Sequence, residues 1–130
     1  MKTVLYADDL TTLGETLKSI IQAQVSGIQV EDCNSIEHIS QILRQPLNNV
    51  SVIIFLMASI EELVQINSMH TLFDNIRVIL ILPDRSSDTI ALGLNLKTSF
   101  ISYIDSDLQD VASVLGQIKK KGEKAKWLNL

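Results

Sequence analysis

Two adjacent carboxylates are the residues of this sequence best suited to chemistry. Asp8 and Asp9 directly follow an apolar run, Thr3 to Ala7, whose composition is typical of a strand. Aspartate is a favoured residue at the start of a helix. The pair therefore places two carboxylates at the tip of this strand, where they can act as an acidic cap for the helix that follows.

The other reactive side chains do not form a catalytic set. His38 and His70 fall on helices at positions that we expect to be exposed, with no acid–base partner evident. Cys33 is the single cysteine, which excludes an intrachain disulfide, and no basic neighbour is present to lower the pKa of its thiol. We therefore expect a protein that is not an enzyme and that resides in a reducing cytoplasm.

The stretch Val50 to Leu56 organises the rest of the chain. Six of its seven residues are apolar and show no alternation, so neither face of this strand is expected to contact water. Such a strand belongs at the centre of a parallel sheet with helices on both faces. Ligands gather at the carboxyl ends of strands in such sheets. Here that end carries no acid, base or nucleophile.

Strands and helices alternate along the chain, which predicts parallel pairing through right-handed crossovers. The expected fold is α/β, a flavodoxin-like (βα)5 doubly wound sheet with strand order 2-1-3-4-5. Strands are predicted at 3–7, 28–33, 50–56, 77–82 and 100–104. Capping patterns predict helix starts at Ser59 with Glu62 and at Ser106 with Gln109. This topology places Asp8, the Met57-Ala58 turn and the Pro83 loop along one edge.

Charge is distributed unevenly between residues 1–118, the expected domain, and the Lys-rich tail 119–130. The tail carries five lysines against Glu123, a net +4, so the overall charge of −4 leaves −8 on the domain. An acidic domain disfavours nucleic acid as a partner. No apolar run approaches the ~20 residues of a membrane span, and no signal peptide is recognisable. The roles of the tail and of Trp127 stay open.

Residues 2 to about 118 resemble a response-regulator receiver domain of the CheY-like kind. The segment K-T-V-L-Y-A-D-D is similar to the family's first strand with its acidic pair, and the five-unit length agrees. The resemblance implies that Asp8 and Asp9 help to hold Mg²⁺. It also implies a phosphoacceptor aspartate at the end of strand three, Met-Pro and Asp-Gly in the loop after it, a Ser or Thr at the end of strand four and a Lys after strand five.

Four of the five elements that the resemblance requires are missing. The phosphoacceptor position falls on Phe55, Leu56 or Met57, none of which can take a phosphoryl group, and the expected Met-Pro and Asp-Gly after it are absent. Leu82-Pro83 stand where Ser or Thr is expected. No lysine lies between Lys97 and Lys119, whichever register strand five takes. The sequence therefore resembles a degenerate, or pseudo-, receiver in which Asp8 and Asp9 are a remnant.

The resulting hypothesis is a phosphorylation-independent signalling module that acts through protein–protein interaction, with a homodimer as one form. The resemblance assigns partner contacts to a surface made by helix four, strand five and helix five. Its candidate residues are Ala91, Asn95, Tyr103, Asp107 and Val111. We expect no cofactor, while weak Mg²⁺ binding stays open. Two alternatives remain: a phosphorelay receiver with a non-standard acceptor, and a small-molecule sensor at the strand ends.

Overall fold

A computed structural model describes residues 2–7, 12–46, 48–57 and 59–128, and the side chains of these as far as residue 121. The strands are β1 (Lys2–Ala7), β2 (Gln29–Cys33), β3 (Val50–Leu56), β4 (Arg77–Leu82) and β5 (Phe100–Tyr103). The helices are α1 (Thr12–Gln24), α2 (Ile36–Arg44), α3 (Ile60–Ser68), α4 (Ser87–Asn95) and α5 (Gln109–Leu128), with a 3₁₀ turn at His70–Phe73.

All strand pairs are parallel, in the order β2-β1-β3-β4-β5. The predicted flavodoxin-like topology is therefore confirmed. β1 and β3 lie side by side at the centre, with Ala7 opposite Leu56. At the far edge, Leu82 of β4 lies opposite Tyr103 of β5. This register aligns the carboxyl ends of all five strands along one edge, called the rim below.

The core consists of two apolar layers, one on each face of the sheet. On one face, the core contains Ile53 and Phe55 of β3 and Met57, the residue that follows β3. These side chains pack with α2, α3 and α4. On the other face, side chains from the alternate positions of β3 pack with α1 and α5. Both faces of β3 are thus dry, which explains why its sequence is apolar without alternation.

Serine side chains begin three of the helices. Ser35 and Ser59 accept hydrogen bonds from the backbone N–H groups of His38 and Glu62, at 3.1 and 3.3 Å. Ser86 does the same for Thr89 at the start of α4. The Ser59 prediction is confirmed, and Ser35 is the cap of α2. Each bond satisfies a donor that the first helical turn leaves without an intrahelical partner.

The predicted cap Ser106 of α5 is wrong. The Asp107 carboxylate accepts the Gln109 N–H at 2.9 Å instead. Ser106 lies in the preceding turn, where its own N–H donates to the Tyr103 carbonyl at 3.0 Å and its hydroxyl accepts from Arg85. The serine is therefore committed to closing the turn between β5 and α5, and the neighbouring aspartate takes the capping role.

Further differences concern element ends and burial. β1 begins at Lys2 and β2 at Gln29, each one residue from its predicted start. β5 ends at Tyr103 rather than at Ile104, because the chain turns there after the Ile104 N–H has bonded the Leu82 carbonyl. α5 continues through the Lys-rich tail to Leu128. Val111 was a candidate for the partner surface, but it is 0 % exposed and packs between α5 and the sheet. Within the described residues no helix is sufficiently long and apolar to cross a bilayer.

Candidate functional site

The tip of β3 is hydrocarbon and belongs to the core. Phe55 and Met57 are 0 % exposed and Leu56 is 5 % exposed. The Met57 N–H still donates to the Ile81 carbonyl of β4 at 3.1 Å, so the sheet continues to this point. These three positions, where the resemblance expects a phosphoacceptor, present no polar side-chain group to the rim.

The acidic pair Asp8 and Asp9 lies outside the described residues, and so does Ala58 in the turn after β3. Their role as a Mg²⁺ site or as a remnant stays a prediction. In the part of the chain that the structure describes, no three His, Cys, Asp or Glu side chains are grouped as metal ligands would be.

A buried acid close to this edge is held by a tyrosine. The Tyr6 hydroxyl of β1 donates a 2.9 Å hydrogen bond to the carboxylate of Glu62, which is only 8 % exposed in the first turn of α3. The Tyr6 ring contacts Phe55 at 5.8 Å between centroids, and Phe55 contacts Phe73 at 5.3 Å. This aromatic row and the hydrogen bond hold α3 against β1.

The sequence patterns did not reveal the Tyr6–Glu62 pair. Glu62 was interpreted as part of a capping box, and its backbone does bond Ser59, but its side chain extends to Tyr6. A tyrosine inside an apolar strand is a signal for such a bond, because a buried hydroxyl requires a partner. Which partner it finds depends on the packing of α3.

A second cluster lies at the β4–β5 end of the rim and centres on Arg85. Its guanidinium carbon lies 3.9 Å from the ring centroid of Tyr103. The same group donates to Asp105 at 3.1 Å and to Ser106 at 3.3 Å. Arg85 thus joins the loop after β4 to the loop after β5. The carboxylate is 74 % exposed, so the ion pair itself contributes little to stability, while the cation–π contact adds about 0.5–1 kcal/mol.

The loop that carries Arg85 is braced from within. The Ser86 N–H donates to the Asp84 carboxylate at 2.9 Å, and this hydrogen bond holds the pKa of Asp84 below its usual value. Asp84 is therefore ionised at neutral pH. The Ser86 hydroxyl also donates to the Thr89 hydroxyl at 2.9 Å. This bond ties the residue after Arg85 to the first turn of α4.

Next to this cluster lies an apolar surface, named here the α4–β5 face and formed by Ile90, Leu94, Ile101 and Tyr103. Leu94 is 68 % exposed, and the other three are partly buried against the core. Ile90 and Leu94 are one helical turn apart, so they share a side of α4. Among the described residues, Val64 on α3 is the other large exposed apolar side chain, at 52 %.

The remaining candidates for the partner surface are divided by the structure. Ala91 on α4 and Asp107 after β5 are exposed, and Tyr103 is half-buried. Asn95 is exposed too, but its side-chain amide donates to Asn67 of α3 at 2.9 Å, so it lies on the side of α4 that faces α3. Arg85 and Leu94 are the residues of this region that the sequence reasoning missed.

A groove of about 610 Å³ lies at the opposite edge, between α1, β2 and the start of α2. One wall carries the Lys18–Asp32 ion pair, with 2.6 Å between nitrogen and oxygen. Cys33 and the half-buried His38 line it as well. Burial raises the pKa of the Cys33 thiol, so the thiol is protonated and unreactive at neutral pH.

Comparison with known proteins rests on three-dimensional similarity. No protein-family model and no curated protein matches the sequence. A CheY-like response regulator receiver domain protein from Methanospirillum hungatei aligns with a TM-score of 0.65 at 14% identity, over 92% of this chain and 97% of that one. A putative pilus assembly protein from Burkholderia thailandensis gives 0.68 at 13% identity, over 92% and 98% of the two chains.

A putative pilus assembly-related protein from Burkholderia pseudomallei also aligns with a TM-score of 0.68, at 13% identity, over 91% of this chain and 88% of that chain. Identities this low establish the fold alone. The strand order, the five parallel strands and these alignments agree on one conclusion. This chain has the fold of CheY-like receiver domains.

Proposed function

We propose that this chain is a receiver-like signalling module that acts by contact with another protein, independently of aspartate phosphorylation. We propose further that it is not an enzyme and requires no cofactor. The supporting observation is the hydrocarbon tip of β3, where Phe55, Leu56 and Met57 are buried. In a fold of the receiver kind, a reactive carboxylate would be needed at this position.

The chemistry of phosphoryl transfer supports the same proposal. Mg²⁺ requires six oxygen ligands in near-octahedral geometry, so replacing one carboxylate by hydrocarbon weakens its binding severely. Without that ion, a phosphoryl group beside Asp8 and Asp9 needs a cation to offset its charge. Arg85 is the cation that follows β4, and its guanidinium is already engaged by Asp105 and Tyr103.

The α4–β5 face is the surface that we propose for partner contact. It combines the exposed Leu94 with Tyr103 and borders Arg85, and tyrosine and arginine are enriched among residues that dominate binding energy. The tyrosine ring is fixed in place by the guanidinium above it. Less side-chain entropy is therefore lost when a partner covers the ring.

Incubation with acetyl phosphate and Mg²⁺, followed by intact-mass measurement, tests independence from phosphorylation. We expect no added mass, whereas a phosphoryl group adds about 80 Da through the chemistry of phosphorylation. An adduct that disappears in Asp9→Asn would contradict the proposal. It would favour instead the alternative of a receiver with a non-standard acceptor.

Two matched variants test the partner surface. Leu94→Asp and Val64→Asp each place a carboxylate on an exposed apolar position of neighbouring helices, and neither removes a core contact. A partner cross-linked to the wild-type chain should be lost with Leu94→Asp and retained with Val64→Asp. Equal binding by both variants would rule out the α4–β5 face as the contact surface.

The groove lined by Lys18 and Asp32 favours a second candidate function, a small-molecule sensor. Its volume of about 610 Å³ falls within the range of ligand pockets, and opposite charges on one wall suit a polar ligand. A thermal-shift screen of nucleotides and amino acids tests this candidate. A ligand that raises the melting temperature of the wild type but not of Lys18→Met would support sensing.

We propose that this module acts in the cytoplasm. The single cysteine is buried as a free thiol, which suits a reducing compartment. The charge of −8 on residues 1–118 argues against nucleic acid as the partner of the domain, and we propose no membrane partner for it.

A further inference from the structure

The charges of this molecule are segregated at its two ends. The loops and first helical turns that follow β4 and β5 carry five exposed aspartates and one cation, Arg85, a net charge of −4. This group, called the acidic rim, consists of Asp84, Asp88, Asp105, Asp107 and Asp110. Residues 119–128, called the lysine end, carry five lysines against one glutamate, a net charge of +4.

Helix α5 separates the two groups. It begins at Gln109 beside the acidic rim and runs for 20 residues, about 30 Å at 1.5 Å per residue. The Lys119 ammonium group donates to the carbonyl of Ser26, in the turn that precedes β2. The lysine end therefore lies at the edge of the sheet where the strands begin, opposite the rim, and the two groups of one copy cannot meet.

The acidic rim borders the α4–β5 face. Asp105 and Asp107 follow Tyr103 at the end of β5, and Asp84 lies next to Arg85 in the loop after β4. An apolar centre with a charged border is the composition of a docking surface. The sign of this border specifies the occupant, because a second acidic surface would be repelled and a basic one attracted.

We infer that the occupant is the lysine end of a second copy, so that copies of this chain stack head to tail. This inference rests on the proposed function and specifies the partner of the α4–β5 face. The net charges of the two surfaces are equal and opposite, and the sequence of the lysine end also contains Trp127 and Leu128. Lys120 and Lys121 are exposed on α5 and free of the domain core.

A contact of this kind joins two different surfaces, so each copy keeps one of each for further copies. Assembly beyond two copies follows unless the geometry closes a ring. Screening by salt should weaken the contact, because the Debye length falls from about 30 Å at 10 mM salt to about 3 Å at 1 M. A symmetric dimer through the α4–β5 face would not involve the lysine end.

Light scattering on two charge-reversed forms of the full chain tests the inference. The tail-reversed form carries Lys120→Glu, Lys121→Glu and Lys124→Glu, and the rim-reversed form carries Asp88→Lys and Asp110→Lys. A control with Glu37→Lys and Glu61→Lys reverses two exposed acids in the first turns of α2 and α3. Thermal melts confirm that every form is folded.

At low salt we expect the average mass of wild type and control to rise with concentration. Each altered form should associate at least about tenfold more weakly, because the charge of the lysine end is reversed in one form and that of the acidic rim is cancelled in the other. An equimolar mixture of the two forms should give a one-to-one pair, since each retains the surface that the other lacks.

A wild type that stays monomeric at low salt, or a mixture that stays monomeric, would overturn the inference. Association that persists in the tail-reversed form but is lost in the rim-reversed form would overturn stacking as well. That last result would leave the α4–β5 face as the proposed partner surface, so the two proposals fail separately.

Discussion

The Tyr6 hydroxyl and the Glu62 carboxylate are joined by a buried hydrogen bond of 2.9 Å that connects β1 to α3. Glu62 is a buried acid near the carboxyl end of the central strands, and this hydrogen bond holds it against β1. In the contacts that the structure describes, the Glu62 carboxylate therefore stabilises the packing of α3 on β1.

Removing the tyrosine hydroxyl should destabilise the domain. Tyr6→Phe keeps the ring contact with Phe55 but removes the hydrogen bond to the buried Glu62 side chain, and the loss of such a bond typically costs about 1–3 kcal/mol. Urea denaturation measures the difference in free energy of unfolding. Tyr103→Phe is the matched control, and its effect should stay below about 0.5 kcal/mol because Tyr103 is half-exposed. Equal effects of the two changes would contradict the structural role given to Tyr6.

Placing an aspartate at the tip of β3 should unfold the protein rather than restore a phosphorylation site. Met57 is completely buried, and an uncompensated carboxylate at such a position costs several kcal/mol. Circular dichroism during thermal unfolding should show a large loss of stability for Met57→Asp. Met57→Leu conserves volume and should cost less than about 1.5 kcal/mol. A stable Met57→Asp variant would mean that this position opens to the rim.

Removing the Arg85 side chain should release Tyr103 with little loss of stability. In Arg85→Ala the cation no longer covers the ring, so we expect altered NMR shifts and faster motion of the Tyr103 ring. The free energy of unfolding should change by less than about 1 kcal/mol, because the ion pair with Asp105 is exposed. Arg44→Ala, which removes an exposed arginine of α2, should leave the Tyr103 signals unchanged.

We expect ionisation of the buried Cys33 thiol to lower the stability of the fold at alkaline pH. Burial raises its pKa in the folded chain, so the folded state holds this proton more tightly than the unfolded state. The contribution of the protonated thiol to the free energy of unfolding is complete below the pKa of the unfolded thiol. It is lost as the pH rises through the pKa of the folded thiol. Urea denaturation between neutral pH and pH values above the ordinary thiol pKa should show the decline. Cys33→Ala should reduce this decline, and an unchanged slope would assign it to other groups.

The sequence by itself determined the sheet. Val50–Leu56 was predicted with the bounds that the structure has, because an apolar run without alternation is stable only with both faces covered. Parallel pairing followed from the alternation of strands and helices through crossovers of one hand, and the order 2-1-3-4-5 was expected as the flavodoxin-like arrangement of five such units. The cap Ser59 was predicted from the sequence as well, because a cap is a local interaction.

Only the tertiary structure decided which side chains meet. The Arg85–Tyr103 contact joins residues 18 positions apart and depends on the register that sets Leu82 opposite Tyr103. The Tyr6–Glu62 bond depends on how α3 lies against β1, and the burial of Val111 depends on the rotation of α5 about its axis. Local pattern fixes an element and its apolar face, whereas contacts between distant residues require the relative placement of elements that only packing supplies.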